Sequence, residues 1–287
     1  MNPTTTAYLR RLGVPAEPPS AAALARLHRA HVERIPYETF WLHLGEDRGI
    51  DPAGSAALVA GSTRGGYCYQ LNGALATLLA DLGYRVSAAV AGVHDAAGPQ
   101  ASTLRNHVAL LVDGCPTEAN PGGRWYADAG LGDALHEPLP LVTGVYAQGP
   151  MRFGMSEVAP GGVGDWHFSH DRAGSFDGIS LVDAPVPIAS FADRHHYHRT
   201  SAESSFARTP TAQLRHPTGT AVVRGCVFTR TDGAATSTHT CERLGEWLDL
   251  LDGELGLRLD APAAALAALW TRVRRAHDTW TGARTSA

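Results

Sequence analysis

The chain has 287 residues and a formal net charge of −4, and 44% of its residues are hydrophobic and 18% are charged. This balance allows a sizeable buried core and gives no reason to expect nucleic acid or an anionic membrane as a partner. All 24 basic side chains other than histidine are arginine, which excludes a lysine Schiff-base mechanism. No secretory signal or membrane-spanning stretch is visible, so a cytoplasmic location with reduced thiols is expected.

The first part of the chain is predicted to be helical. Ser20 can cap a helix that continues to about Arg34, and Asp51 followed by Pro52 is typical of a second helix start. The strongest helix signal follows Gly65-Gly66 and ends at Gly83. Leucines recur there at helical spacing: Leu71, Leu75, Leu78, Leu79 and Leu82.

Strands are predicted after Gly83, because apolar residues alternate in residues 86–90 and again in residues 108–112. Asp113-Gly114 indicates a hairpin turn, with the next strand beginning at Trp125. Between residues 139 and 186, Gly and Pro separate short apolar pieces, which favours a barrel or a small antiparallel sheet.

The last third of the chain combines strands with helices. A short helix is predicted from Ala189 to Arg199, and further strands lie between residues 211 and 240, with Asp232-Gly233 as a turn. Two helices follow, from Glu242 to Leu251 and from Pro262 to about Trp280.

Cys68 is the candidate nucleophile among four cysteines that show no C-x-x-C spacing. It follows Gly65-Gly66 and opens the strongest predicted helix. The N–H groups and positive partial charge at a helix start favour a nucleophilic thiolate, and they can also stabilise an oxyanion on an acyl carbonyl. A small buried residue without a catalytic role is the alternative for a lone cysteine.

His107 and Asp128 are candidate partners of that thiol. Each lies at an end of a predicted strand, so that the histidine could accept the thiol proton and the aspartate could orient the imidazole. With 14 histidines in the chain, this order alone leaves a chance arrangement open.

The sequence motifs around these residues resemble those of the arylamine N-acetyltransferase family. The resemblance rests on Arg64-Gly65-Gly66-Tyr67-Cys68-Tyr69 followed by Asn72, on the strand-leading His107, and on Asp128-Ala129-Gly130-Leu131-Gly132. It extends upstream to Arg34-Ile35-Pro36-Tyr37-Glu38 and downstream to Ser205-Phe206-Ala207-Arg208.

That resemblance implies an α+β fold with a cysteine-protease-like Cys-His-Asp triad. Residues 1–84 would form a helical domain carrying the nucleophile, residues 85–203 a β-barrel domain carrying the histidine and aspartate, and residues 204–287 an α/β lid. The implied reaction is ping-pong acyl transfer from acetyl-CoA or another acyl thioester to an amine or hydroxyl acceptor. Acyl-CoA would be a substrate, with no metal or prosthetic group, and nucleic acid and membranes would not be partners.

The resemblance also implies roles for residues around the triad. Substrate contacts are expected at Tyr37, Tyr69, Val108, Leu131 and Phe206. Donor contacts are expected at Gly130, Gly132 and Ser205. Support of the nucleophile loop is expected from Glu38, Arg64, Gly65 and Gly66, with Glu38 and Arg64 forming an ion pair.

Three positions depart from the family pattern. Gln70 stands where an acidic residue is common, Asn106 where threonine is usual, and Leu131 where an aromatic residue is common. Because leucine is shorter than an aromatic side chain, a deeper or wider site that accepts bulkier substrates is expected at Leu131.

Three other functions compete with this interpretation. The first is a biosynthetic amide synthase or natural-product acyltransferase that takes its acyl group from an acyl carrier protein or a bulky thioester. The second is a transglutaminase-like or papain-like thiol hydrolase, which the Arg-Gly-Gly-Tyr-Cys-Tyr motif disfavours. The third is a non-catalytic binding module, which an intact triad disfavours.

The clustered His195, His196 and His198 are expected to lie on a solvated or cleft-edge surface rather than in a metal site. Three such close positions do not share one helix face. Cys226 and Cys241 are expected to be buried filler.

Overall fold

The computed structural model describes residues 1–285 of the chain. Its α-helices are α1 (Pro3–Leu12), α2 (Ala21–Arg34), α3 (Phe40–His43), α4 (Pro52–Gly61), α5 (Cys68–Asp81), α6 (Ala192–Thr200), α7 (Ser205–Arg208), α8 (Leu244–Leu255) and α9 (Ala263–Thr285). Its strands are β1 (Tyr37–Glu38), β2 (Arg85–His94), β3 (His107–Asp113), β4 (Trp125–Ala127), β5 (Leu139–Pro140), β6 (Gly144–Gln148), β7 (Met151–Glu157), β8 (Trp166–Ser169), β9 (Gly178–Pro185), β10 (Thr211–His216), β11 (Gly219–Arg224), β12 (Val227–Asp232) and β13 (Ala235–Thr240).

The predicted helix starts are confirmed by their caps. The Ser20 side chain accepts a hydrogen bond from the backbone N–H of Ala23, and the Asp51 carboxylate accepts one from the N–H of Gly54. Gly83, with a φ of +90°, follows the end of α5 as expected. Helix α1 was not predicted from the sequence, although its Asn2 cap and Pro3 at the first turn are an ordinary start signal.

The larger sheet is antiparallel, with strand order β5-β4-β3-β2-β9-β8-β7-β6, and forms a nearly closed barrel. Successive side chains along each strand point to opposite faces of the sheet, and the two faces contribute to two separate hydrophobic cores. Ala89 and Leu111 lie in the core of the barrel, whereas Ala88 and Leu110 belong to the core that includes the helices. Helix α5 therefore packs on the outer face of β2 and β3, which brings its first residue towards the beginning of β3.

Both predicted hairpins are present, but their connections differ in length. Strand β3 pairs with β4, which begins at Trp125 as predicted, and residues 114–124 form a long connection after Asp113. Asp232-Gly233 does begin a tight turn, since Asp232 pairs directly with Ala235.

The smaller sheet has the order β1-β10-β11-β12-β13, so its first strand comes from the N-terminal part of the chain. Helices α8 and α9 cover it through Trp247, Leu251 and Val273, and Phe40 joins the same core. The predicted lid thus shares a sheet and a core with residues before 84. The boundaries 1–84, 85–203 and 204–287 stay a prediction, and residues 286 and 287 lie outside the described part.

A buried ion-pair network holds the segment before α5. Glu38 is fully buried, and its Oε1 atom lies 3.0 Å from Arg64 Nη2 and 3.2 Å from Arg48 Nη1. Arg48 Nη1 also donates to the Gly65 carbonyl at 3.0 Å, and both arginines pair with Glu46. The expected Glu38–Arg64 contact is present, and Arg48 is a partner that the sequence did not reveal.

We expect Glu38→Gln to lower the free energy of unfolding by about 3 kcal/mol, because two buried guanidinium groups lose a shared charge. Urea denaturation followed by circular dichroism measures the change. Glu17→Gln is the matched control, because the side chains of its pair with Arg26 are 34% and 42% exposed and its loss should change the free energy of unfolding far less. Equal effects of the two substitutions would contradict the structural role of Glu38.

Candidate active site

Cys68 is the first residue of α5 and is buried, with 4% exposure. The chain reaches it through two glycines in close contact with their surroundings. A Cβ on Gly65 would lie 1.8 Å from the Pro36 carbonyl oxygen, and the Gly66 carbonyl accepts the Glu38 N–H at 2.8 Å. The thiol therefore lies at a helix start whose first N–H groups have no intrahelical acceptor.

Gln70 closes the nucleophile loop, which is the segment of residues 64–67 before Cys68, without adding a charge. Its Oε1 accepts the backbone N–H of Tyr67 at 3.1 Å, and its Nε2 donates to the Gly49 carbonyl at 3.2 Å. The amide thus supplies both a donor and an acceptor, which a carboxylate at this position could not.

His107 lies between the thiol and a buried carboxylate. Its Nε2 is 2.6 Å from Asp128 Oδ2, and Cys68 is close enough to influence the charge of the ring. Burial disfavours the charged imidazole, but the charges of Asp128 and Cys68 outweigh it and raise the pKa of His107 to about 10.

The Asp128 carboxylate accepts hydrogen bonds at both oxygens. Asn72 Nδ2 and the Gly130 N–H donate to Oδ1 at 2.8 and 2.9 Å, and the Tyr126 hydroxyl donates to Oδ2 at 2.8 Å beside His107. Burial alone would raise the pKa of this carboxyl, yet the His107 charge and these donors hold it below its usual value. Asp128 is therefore a fixed negative charge at one side of the imidazole.

Asn72 and Tyr126 were not among the site residues predicted from the sequence. Asn72 lies one helical turn after Cys68, and Tyr126 lies two residues before Asp128 on the same strand face. Asn72 Nδ2 also donates to the Val108 carbonyl at 2.7 Å, and its Oδ1 accepts the Ala129 N–H at 2.9 Å. The i+4 and i−2 spacings are the signals that could have identified both residues.

The two glycines after Asp128 are in close contact with different elements. A Cβ on Gly130 would lie 2.5 Å from the Cα of Cys68, so only glycine allows this approach. Gly132 has a φ of +75°, and a Cβ there would lie 1.7 Å from Gln213 Oε1. Gly130 thus lies beside Cys68, whereas Gly132 faces β10.

Leu131 packs in the core of the barrel and is 8% exposed. With Tyr37, Asp128 and Gln213 it lines a cavity of about 10 Å³, which is room for roughly one water molecule. The structure therefore lacks the wider site that was expected at Leu131, because neighbouring side chains fill the space.

Of the remaining predicted substrate contacts, Tyr69 follows Cys68 in α5 and Phe206 packs against the residue before Cys68. The Tyr69 hydroxyl donates to the Arg105 carbonyl at 2.9 Å, and the Phe206 ring lies 5.3 Å from that of Tyr67. Val108 is fully buried, and Ser205 is the first residue of the short helix α7.

The expectation of a solvated histidine cluster is wrong for two of its three members. His195 and His198 are buried, with 6% and 8% exposure, because α6 packs against the Tyr67 ring. The Tyr67 hydroxyl bonds His195 Nδ1, and His195 Nε2 bonds the Arg48 carbonyl at 2.9 Å. These histidines thus hold α6 onto the nucleophile loop.

Within residues 1–285, no group of three or more His, Cys, Asp or Glu side chains has a geometry that could hold a metal ion. Among the same residues, no helix combines the length and hydrophobicity needed to cross a membrane.

Comparison with known proteins identifies the family. A family model described as N-acetyltransferase matches residues 20–264. The chain belongs to the arylamine N-acetyltransferase family. It is 34% identical over 149 residues to the arylamine N-acetyltransferase / N-hydroxyarylamine O-acetyltransferase of Salmonella typhimurium, an alignment covering half of each chain. The resemblance seen in the sequence is thereby confirmed.

Solved structures of this family share the fold over nearly the whole chain. The Mycobacterium marinum enzyme in complex with CoA matches with a TM-score of 0.80 at 23% identity, over 95% of this chain and 99% of that one. The Bacillus cereus enzyme with a Cys-His-Glu catalytic triad matches with a TM-score of 0.76 at 17% identity, over 90% of this chain and 100% of that one. In sequence, by contrast, the chain aligns with about half the length of several curated relatives.

We expect the His107 imidazole to remain protonated up to about pH 10, whereas an ordinary histidine loses its proton near pH 6.5. NMR of 15N-histidine-labelled protein measures the titration, with His107→Gln used to assign the signal. In Cys68→Ser the titration should move to lower pH, because the negative charge of Cys68, which raises the pKa of His107, is lost. A wild-type titration near pH 6.5 would contradict the paired arrangement.

Proposed function

We propose that Cys68, His107 and Asp128 form the catalytic triad of an acetyltransferase that moves an acetyl group from acetyl-CoA to an arylamine. The observation that carries the proposal is the buried His107 ring, whose Nε2 lies 2.6 Å from the Asp128 carboxylate and whose pKa is raised by both Asp128 and Cys68. The names of the relatives and the CoA complex of the M. marinum enzyme support the donor and acceptor classes.

In the first half-reaction, the proton of the Cys68 thiol is already held by His107, and the thiolate attacks the thioester carbonyl of acetyl-CoA. The tetrahedral intermediate collapses when the bond to the CoA sulfur breaks, and His107 returns the proton to that leaving thiolate. An acetyl-Cys68 thioester and free CoA result. Asp128 stays ionised and stabilises the imidazolium until His107 gives up this proton.

In the second half-reaction, the acceptor nitrogen attacks the acetyl-Cys68 carbonyl while His107 removes a proton from that nitrogen. The carbon–sulfur bond breaks, the Cys68 thiolate and the His107 imidazolium are restored, and the acetylated amine leaves. The N–H groups in the first turn of α5 are oriented to stabilise the oxyanion in both halves.

A transfer of bulky acyl groups, or a carrier protein as the donor, finds no support in the small cavity beside Leu131. A thiol hydrolase uses the same three residue types, but the family match favours transfer to an amine over attack by water. We therefore propose acetyl-CoA and a small arylamine as the substrates, with no resident cofactor.

Cys68→Ser is expected to lose nearly all turnover, because an alcohol is far less acidic than a thiol held beside this imidazole. Incubation with acetyl-CoA alone should add one acetyl group to the wild type, which intact mass spectrometry detects and peptide mapping assigns to Cys68. Cys115→Ser, a buried thiol elsewhere, is the control and should still be acetylated. Acetylation of another cysteine, with Cys68→Ser active, would end the proposal.

Leu131→Phe is expected to lower stability by about 1–3 kcal/mol, because it overfills the barrel core. The specificity constant should then fall by a similar factor for acetyl-CoA with a small arylamine and for longer acyl thioesters with larger arylamines. Steady-state kinetics with both substrate pairs provides the test. A loss confined to the bulky pair would instead assign Leu131 to the substrate pocket.

A further inference from the structure

His28 lies on α2 beneath the loop that begins at Asp128, and it is fully buried. Its Nε2 atom accepts the backbone N–H of Asp128 at 3.2 Å, and its Nδ1 atom is 3.1 Å from the His136 carbonyl oxygen. One imidazole therefore contacts the backbone at both ends of the segment 128–136.

The two contacts fix the tautomer of His28. A backbone N–H can only donate, so Nε2 must carry the lone pair, and a carbonyl can only accept, so Nδ1 must carry the proton. Burial is the largest influence on this ring and lowers the pKa of His28 below 6.5, which agrees with a neutral imidazole. A protonated ring would direct a second N–H at the N–H of Asp128.

A second contact ties the same segment to the same helix. His136 Nε2 lies 2.6 Å from Oε1 of Glu33, which is five residues after His28 on α2. The segment is therefore attached to α2 at its beginning by His28 and at its end by both His28 and His136. Between these attachments lies Gly130, whose backbone is in contact with Cys68.

We propose that His28 is a positioning residue for the acetyl transfer: it fixes the Asp128 backbone so that the carboxylate stays aligned with His107. The proposal rests on the function proposed above. The side-chain donors of Asp128 determine its charge, whereas His28 determines where its Cα lies. A displacement of about 1 Å at a catalytic group can lower a rate by about 100-fold.

His31 shows what a histidine with only a packing role looks like on this helix. It lies three residues after His28 and is also fully buried, but its ring nitrogens bond to nothing in residues 1–285. Its neighbour is the Tyr8 ring at 5.9 Å, away from Asp128. The same substitution at the two positions therefore separates positioning from packing.

The experiment compares His28→Gln, His28→Asn and His31→Asn. Glutamine offers one acceptor and one donor at the reach of the imidazole, whereas asparagine is one bond shorter and cannot reach both backbone groups. We expect His28→Asn to lower kcat and the rate of Cys68 acetylation at least tenfold with KM nearly unchanged. His28→Gln should remain within about threefold of wild type, and His31→Asn should lose stability but keep its kcat.

The NMR titration of His107 provides a second readout that a loss of packing alone would not move. In His28→Asn the titration should shift to lower pH, because the Asp128 carboxylate is no longer held beside the ring. Circular dichroism verifies that each variant is folded. If His28→Asn does not fold, His28→Met, which fills the space without either hydrogen bond, takes its place under the same criteria.

Equal kcat values for His28→Asn and His31→Asn, or a His28→Gln variant as slow as His28→Asn, would overturn the positioning role. Failure of the proposed function would look different. In that case Cys68→Ser would keep its activity, whatever the three histidine variants do.

Discussion

The buried carboxylate of Asp128 is the constraint around which the site is built. A carboxylate removed from water is stable only when donors replace its hydration. Its donors come from separate elements: Asn72 from α5, His107 from β3, Tyr126 from β4 and the N–H of Gly130 from the loop itself. Satisfying one charge therefore requires the helix, the barrel and the loop to meet, and where they meet the thiol is beside the imidazole.

Much of the local structure could be predicted from the sequence because its determinants lie close together in the chain. Ser20 and Asp51 each cap a helix through an N–H three residues away, and Gly83 ends α5 where the leucine pattern stops. Cys68, too, was recognisable as the candidate nucleophile, since two glycines before a cysteine at a helix start are a local pattern. Asn72 was equally accessible, because a residue one turn after the nucleophile lies on the same helix face.

The contacts that the sequence did not reveal join residues far apart in the chain. His28 lies 100 positions before the Asp128 N–H that it accepts, and no periodicity records such a pairing. The burial of His195 depends on where α6 docks, which is decided by the Tyr67 ring rather than by the composition of α6. Likewise, the shape of the space around Leu131 depends on the packing of the barrel and not on one substitution.

The two-residue strand β1 gives the C-terminal part of the chain a role in the foundation of the site. Glu38 pairs with Ala212 of β10, and its own N–H bonds the Gly66 carbonyl, two residues before Cys68. The smaller sheet and the nucleophile loop are thus coupled mechanically through a single peptide segment. A shift of that sheet by one residue would break the register at β1 and displace the loop. The C-terminal part of the chain therefore holds the loop in place and is not an independent cover.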